Sequence, residues 1–222
     1  MAWYRRSHRD LPWRHTRDPY CIWVSEVMLQ QTQVATVIPY YGRFLRRFPT
    51  LRALARAPLD DVLKHWEGLG YYARARNLHR AAGVVLETHG GKIPDDPAAF
   101  GALPGVGTYM TAAVQSIAFN APLAVVDGNV KRVVARWFAI GQSVDQTAGM
   151  RIVQERAQSL IDPADPGTFN QAVMELGALV CRPLHPDCTA CPVAPECAAH
   201  RAGTEADYPL RDARRAVARQ RI

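Results

Sequence analysis

Leu103-Pro104-Gly105-Val106-Gly107, running straight into Thr108-Tyr109-Met110-Thr111-Ala112-Ala113, decides how this chain is read. Two glycines one residue apart allow a tight turn between helices, with backbone N–H groups facing outward at the start of the second helix. Such a turn grips a phosphate without any side chain, and that grip is indifferent to base sequence. The bland alternative is an ordinary helix–helix turn. The small-residue helix that follows favours a phosphate-binding helix-hairpin-helix element, with Gly105 and Gly107 as its backbone contacts. Gly68-Leu69-Gly70-Tyr71 echoes it, again placing two glycines ahead of a tyrosine and a helix.

Outward from that turn the pattern is helical almost throughout. Asp18-Pro19 sets an N-cap before a proline at the first helical position and predicts a helix through about Leu29. Leu51 to Ala57 and Leu59 to Trp66 read as short helices parted by Pro58. Tyr72 to about Thr88 reads as a longer one, stopped by Gly90-Gly91. Thr108 to Phe119 and Val130 to Ile140 are amphipathic at helical spacing, and Phe169 to Val180 leads into a run of cysteines. Only Leu123 to Val126 reads as extended, and it is too short for a sheet. The expected class is all-α, and 222 residues suit one large domain or two small lobes.

Cys181, Cys188, Cys191 and Cys197 follow the spacing C-x6-C-x2-C-x5-C. Four thiolates in so short a stretch can close on one metal centre. An apolar leader peptide is missing and Cys21 sits alone in an apolar run. The expected setting is therefore intracellular and reduced, where a cysteine quartet reads as a metal site. Zinc and a 4Fe–4S cluster both accept four cysteines, and the spacing is not that of ferredoxins, so the residues alone leave the metal open. The formal charge is +7, carried almost wholly by arginine, with Lys64, Lys92 and Lys131 the only lysines. Arginine forks match phosphate oxygens, which points to nucleic acid. A GC-rich genome would explain the arginine-to-lysine ratio but not the net charge. No segment approaches the length of a membrane span, so no membrane partner is expected.

Two carboxylates stand out. Glu26 lies in Tyr20-Cys21-Ile22-Trp23-Val24-Ser25-Glu26-Val27-Met28-Leu29, apolar nearly all round. A buried acid there has its charged form disfavoured and its pKa raised, as a proton donor near neutral pH requires. Its bland reading is a Glu on the one solvated face. Asp127 precedes Gly128-Asn129 and a helix, where an N-cap is the ordinary reading. The roles are compatible, because a helix N-terminus keeps an aspartate ionised. One protonated and one ionised carboxyl group form the pair that glycosidic cleavage through an oxocarbenium-like state needs.

Taken together, the cysteine spacing, the L-P-G-V-G hairpin and Asp127-Gly128-Asn129-Val130 resemble the endonuclease III superfamily of DNA glycosylases. Within it, three stretches are similar to the adenine DNA glycosylase family: Leu11-Pro12-Trp13-Arg14, Trp23-Val24-Ser25-Glu26-Val27-Met28-Leu29-Gln30-Gln31-Thr32-Gln33-Val34, and Gly68-Leu69-Gly70-Tyr71-Tyr72-Ala73-Arg74-Ala75-Arg76. The resemblance runs from Trp3 to about Pro209. It implies a 4Fe–4S cluster on the four cysteines and double-stranded DNA with a mispaired adenine as partner. Glu26 matches the acid that protonates the base, and Asp127 the carboxylate that stabilises or captures the sugar cation. Asn129 matches the residue supporting that aspartate. Tyr109 falls where bifunctional relatives carry an attacking lysine, which implies an enzyme that removes the base and stops. Gln31 and Tyr71 match residues that probe the opposite strand, Gln171 one that contacts adenine, and Thr32 and Arg14 join the DNA-binding set.

The resemblance also implies two helical lobes flanking a cleft. Residues 20–126 would form a six-helix bundle carrying the hairpin, and 1–19 plus 127–200 the cluster lobe. Residues 201–222 would form a basic linker or tail. Arg182 and His185, inside the six-residue cysteine gap, are expected in a DNA-facing basic loop. Tyr208-Pro209-Leu210-Arg211 resembles the start of a linker to a lesion-recognising domain, so a weaker preference for 8-oxoguanine is expected. Arg211, Arg214, Arg215, Arg219 and Arg221 have no packing pattern and read as a mobile tail. The expected protein is a cytoplasmic, nucleoid-associated bacterial monomer. Two rivals stand beside this reading. One is a mismatch thymine glycosylase of the same superfamily, which the run Gln30 to Val34 and Glu26 argue against. The other is a non-catalytic iron–sulfur DNA-binding module, which retention of both carboxylates argues against.

Overall fold

The computed structural model describes residues 1–212, which are helical and contain no strand. In order come α1 (Ala2–Ser7), α2 (Pro19–Leu29), α3 (Val34–Arg47), α4 (Leu51–Arg56), α5 (Leu59–Trp66) and α6 (Ala73–Thr88). After them follow α7 (Pro97–Gly101), α8 (Thr108–Phe119), α9 (Gly128–Trp137), α10 (Thr147–Leu160), α11 (Pro166–Leu179) and α12 (Ala198–Ala202). The chain divides into two compact units. A bundle unit takes Ser7–Val125 and Ile161–Asn170, and a cysteine unit takes Met1–Arg6, Val126–Leu160 and Gln171 onward. Arg214, Arg215, Arg219 and Arg221 of the expected tail lie outside the described residues.

In the bundle unit α2 is the central element. Asp18 Oδ1 accepts from the backbone N–H groups of Tyr20 and Cys21 at 2.8 and 3.2 Å, and Pro19 occupies the first turn, where no donor is missed. Every residue from Ile22 to Met28 is buried, because α3, α6 and α8 all pack on this helix. Aromatic side chains fill the space around it. Trp23 meets Phe100 edge-on at 5.2 Å, and Phe44 lies between Phe48 and Trp66 at 4.9 and 5.8 Å. Helix α3 buries Val37, Tyr41 and Phe44 at helical spacing, but Pro39 and Gly42 disguise it in the sequence.

The expected lobe boundaries need correction at two places. Ser7 to Pro19 belongs with the bundle, since Leu11 and Trp13 are core residues and Trp13 packs edge-on against Tyr41 at 5.5 Å. Residues 161–170 belong there too. Asn170 accepts from the Val125 N–H at 3.0 Å and donates to Ser116 Oγ and the Leu123 carbonyl at 2.9 and 2.8 Å. That one side chain takes the backbone groups a partner strand would have taken, so Leu123 to Val126 is extended without being in a sheet.

The cysteine unit is organised on α9, with α10 and α12 against it. Helix α9 runs from Gly128 to Trp137 and stops short of Ile140, because Ala139 adopts a positive φ of 47° and the Ile140 N–H turns back to the Ala135 carbonyl at 3.0 Å. Val130, Val133 and Val134 are buried, as are Val173, Leu176 and Val180 from α11 and the residue after it, and Val153 and Ala157 from α10. Residues 201–210 are tied down rather than a free linker: Arg136 Nε donates to the carbonyls of Glu205 and Tyr208, and the Val144 N–H to that of Leu210. No helix among the described residues is long and apolar enough to cross a membrane.

Candidate active site and cysteine centre

Glu26 sits in the middle of α2 and is 5% exposed. The Tyr109 hydroxyl donates to its Oε2 at 2.7 Å. Tyr109 stands in the first turn of α8, directly after the hairpin, so the glycine turn and the buried acid are joined through one side chain. Gly105 has φ 75°, and a Cβ there would lie 2.6 Å from Asn77 Cβ. Only glycine serves at that position. Gly107 is extended with open space around it, and it brings no side chain to cap the start of α8. The hairpin is flanked by α7 and α8, which pack on each other.

Gln31 and Tyr71 are both exposed and both hold positive φ, 56° and 48°. Side chains other than glycine rarely sit there without support from their surroundings. Tyr71 is 60% exposed, a large aromatic left facing solvent. Arg74 spans the two turns: it donates to Thr32 Oγ1 at 3.0 Å and to the Gly70 carbonyl at 3.2 Å. Arg14 ends a short 3-10 turn and donates to the Arg9 carbonyl at 2.8 Å.

Asp127 is the N-cap of α9, its Oδ1 accepting from the Val130 N–H at 2.7 Å. Asn129 Nδ2 donates to Asp127 Oδ2 at 3.0 Å. Burial pushes the Asp127 carboxyl above the usual carboxylate range, against the opposing pull of Val130, Asn129 and Arg132. Desolvation is the largest influence on this carboxyl, and the donors at the helix start work against it. The network continues within the same unit. Arg132 Nη2 donates to Asn129 Oδ1 at 2.9 Å, and its Nε to the Cys181 carbonyl at 2.8 Å. Gly177 lets α11 come close enough, since a Cβ there would lie 2.6 Å from Asn129 Cβ. Gln171 accepts from the Tyr4 hydroxyl at 3.1 Å.

All four predicted cysteines line one cavity, with Arg136, His200 and Glu205. Each is half-buried and none is in a disulfide. Arg136 is 3% exposed; its Nη1 donates to Cys181 Sγ at 3.4 Å and to the Arg182 carbonyl at 2.7 Å. Burial and the neighbouring Glu205 push the Cys188 thiol up to about 11, and burial raises Cys191. Ligand atoms of Cys188, His200 and Glu205 lie within 4.8 Å of one another, with His200 Nδ1 and Glu205 Oε1 at 2.6 Å. In the cysteine gap, Arg182, Leu184 and His185 are exposed. Arg74, Arg132, Arg136 and Glu205 escaped the sequence reading. For Arg132 and Arg136 the signal was an i, i+4 arginine pair on an otherwise apolar helix face.

A family description, HhH-GPD superfamily base excision DNA repair protein, matches residues 24–161. The chain belongs to that superfamily. It is 49% identical over 209 residues to the adenine DNA glycosylase of Rattus norvegicus, covering 90% of this chain and 40% of that protein. With the adenine DNA glycosylase of Buchnera aphidicola subsp. Acyrthosiphon pisum it shares 35% over 222 residues, covering 98% of this chain and 62% of that one. It thus spans less than two thirds of both relatives. Among solved structures, a thermostable thymine-DNA glycosylase superposes with TM-score 0.82 at 32% identity, covering 90% of this chain and 93% of that one. A trapped endonuclease III–DNA covalent intermediate superposes with TM-score 0.75 at 23% identity, covering 91% of this chain and 92% of that one, and speaks for the fold alone.

Proposed function

We propose that this chain is the catalytic part of a monofunctional DNA glycosylase that releases adenine mispaired with 8-oxoguanine or guanine in double-stranded DNA. The observation that carries the reading is the buried Glu26 with the Tyr109 hydroxyl donating to Oε2 at 2.7 Å. In this reading Glu26 carries the transferable proton on its carboxyl group. That proton goes to the adenine ring, the N-glycosidic bond breaks, and its electron pair leaves on the base. Asp127, ionised, stabilises the sugar cation, and water supplies the hydroxyl that completes the abasic sugar while its second proton returns to a carboxylate. Tyr109 has no amine for a Schiff base, so the strand stays intact. The hairpin N–H groups hold phosphate, and Gln31, Thr32 and Tyr71 probe the strand opposite the target base. Gln171 keeps its two amide donors for the base while its oxygen accepts from Tyr4.

A 4Fe–4S cluster on Cys181, Cys188, Cys191 and Cys197 is part of the proposal. The donor set fits: four thiols line one cavity, and the Arg136 guanidinium beside Cys181 would offset the negative charge of four thiolates. When bound, the cluster supplies a rigid anionic tie between the cysteine loop and α9. The exposed Arg182 and His185 then face DNA. Thymine release from mismatches is the second reading, favoured by the superposition on a thymine-DNA glycosylase. Single-turnover assays with adenine opposite 8-oxoguanine, guanine and cytosine, and with thymine opposite guanine, test both. The expected outcome is free adenine and an alkali-labile abasic site without direct strand cleavage. Release of thymine alone would transfer the function to the second reading, and no release would leave a DNA-binding module.

A further inference from the structure

We propose that Arg74 is a positioning residue that locks the turns at Gln30–Thr32 and Leu69–Tyr71 into one rigid wedge against the strand opposite the target base. The inference rests on the glycosylase reading above and concerns how that reading gains its opposite-base discrimination.

Arg74 lies in the first turn of α6, three residues after Tyr71. Its Nη1 donates to the carbonyls of Val27 and Met28 at 3.1 and 2.8 Å and to that of Gln30. Its Nη2 donates to Thr32 Oγ1 at 3.0 Å and to the carbonyls of Leu69 and Gly70 at 3.3 and 3.2 Å. The four terminal N–H bonds are thus shared among acceptors on both sides of Gln31 and on the two residues before Tyr71. The guanidinium lies 5.5 Å from the Trp66 ring centre and 5.3 Å from that of Tyr71. Trp66 is fully buried and Tyr71 is exposed, so the cation links a core aromatic to a probing one. Trp66 Nε1 also donates to the Gly70 carbonyl at 3.1 Å.

Three features make this more than a helix cap. Val27 and Met28 are among the last carbonyls of α2, which lack partners within the helix, so one edge of the guanidinium does act as a C-terminal cap. The other edge bonds Thr32 Oγ1 and also the carbonyls of Leu69 and Gly70 in its own segment, so one side chain ties two turns about forty positions apart. Both turns it joins carry a non-glycine residue at positive φ, Gln31 and Tyr71, and such conformations persist only where neighbours over-determine them. Lysine cannot replace this, because an ammonium offers three donors from one point and no plane to lie against two rings.

The test is single-turnover excision by the whole chain, comparing adenine opposite guanine with adenine opposite an abasic-site analogue, where no base remains to be probed. Arg74→Met should slow the first by about 30-fold and the second by less than about 3-fold, the coupling expected of residues in direct contact. Arg74→Lys should fall between parent and Arg74→Met on the first duplex only, and it carries the test alone if the methionine variant does not fold. In a Tyr71→Ala background, the Arg74 substitution should cost less than about 3-fold, since its target is gone. Equal losses on both duplexes, or an undiminished loss without Tyr71, would make Arg74 a stability residue and overturn the proposal. A parent chain inert on both duplexes would instead remove the glycosylase reading on which it rests.

Discussion

Glu26 and Asp127 are the same chemical group placed by different rules. Glu26 stands in mid-helix, on an element buried on every side, and the Tyr109 hydroxyl donates to its Oε2. Asp127 stands at a helix start and accepts from a backbone N–H and from an amide side chain. In the proposed reading one group loses a proton and the other stays charged, and such groups should differ in this way. The difference is one of degree, however. Burial still lifts Asp127 above the ordinary carboxylate range despite its donors. The lesson is that hydrogen bonds at Asp127 limit a desolvation cost rather than cancel it.

The harshest way to break the comparison is Glu26→Gln. The amide keeps the shape and the Tyr109 contact but cannot give up a proton. Excision of adenine should fall by roughly 10²–10⁴-fold, the usual worth of a general acid, while affinity for mismatched DNA holds. Single-turnover rates beside binding at fixed salt measure the two separately, since phosphate contacts make affinity salt-dependent. A variant retaining most of its rate would mean that Glu26 is structural.

Asp127→Asn is the next largest test and separates charge from capping. Asparagine caps helices about as well as aspartate, so α9 should stay intact. Loss of the charge facing a developing cation should cost about 10²-fold in rate. Stability should move the other way. An acid whose pKa is raised by folding binds its proton more tightly in the native state, so it costs stability as pH climbs above the unfolded pKa, and in full above the folded one. At neutral pH the variant should melt no lower than the parent. Retained activity would reduce Asp127 to the cap that its position in the sequence first suggests.

These two residues also mark how far the sequence could be read. Glu26 was legible because an acid inside an apolar helix is an anomaly visible in one dimension, and the structure buries it. The hairpin glycines were legible because few residues tolerate positive φ, and Gly105 has it. The cysteine quartet was legible from spacing alone, and the four thiols line one cavity. Long-range side chains were not. Asn170 closes backbone groups some forty-five positions upstream, and Arg74 reaches back as far, so neither has a local signature. Helix α3 was hidden by its proline and glycine. Residues 7–19 looked like an appendage of the other unit because nothing local says where Trp13 is buried.

Tyr109→Phe sharpens the Glu26 side with a smaller effect. It removes one neutral hydroxyl donor from a buried carboxyl oxygen, worth about 1–2 kcal/mol, so the rate should fall by roughly 10-fold. Tyr109→Lys on the same scaffold would place an amine there. A borohydride-trappable complex with that variant, absent in the parent, would tie the hydroxyl's position to the sugar. Loss confined to DNA affinity would instead assign Tyr109 to the hairpin rather than to the acid.

Asn129→Ala addresses the Asp127 side and should have the smallest effect. Asn129 donates to Asp127 Oδ2 at 3.0 Å, and that bond favours the ionised carboxylate. Burial, the dominant influence, is unchanged by so small a truncation, so the carboxyl should rise further from its ordinary value. The rate requires ionised Asp127, which makes the acid limb of the pH–rate profile the readout. Activity falls as pH drops through the Asp127 pKa, and removing the donor should move that limb to higher pH. The alkaline limb, set by the group that must stay protonated, should not move. A shift of both limbs together would mean that the substitution disturbs the fold through Arg132 and the Cys181 carbonyl rather than the charge of one carboxylate. An unmoved acid limb would mean that Asp127 owes its ionised form to the Val130 N–H and Arg132 without Asn129, and the contrast with Glu26 would then rest on the helix start alone.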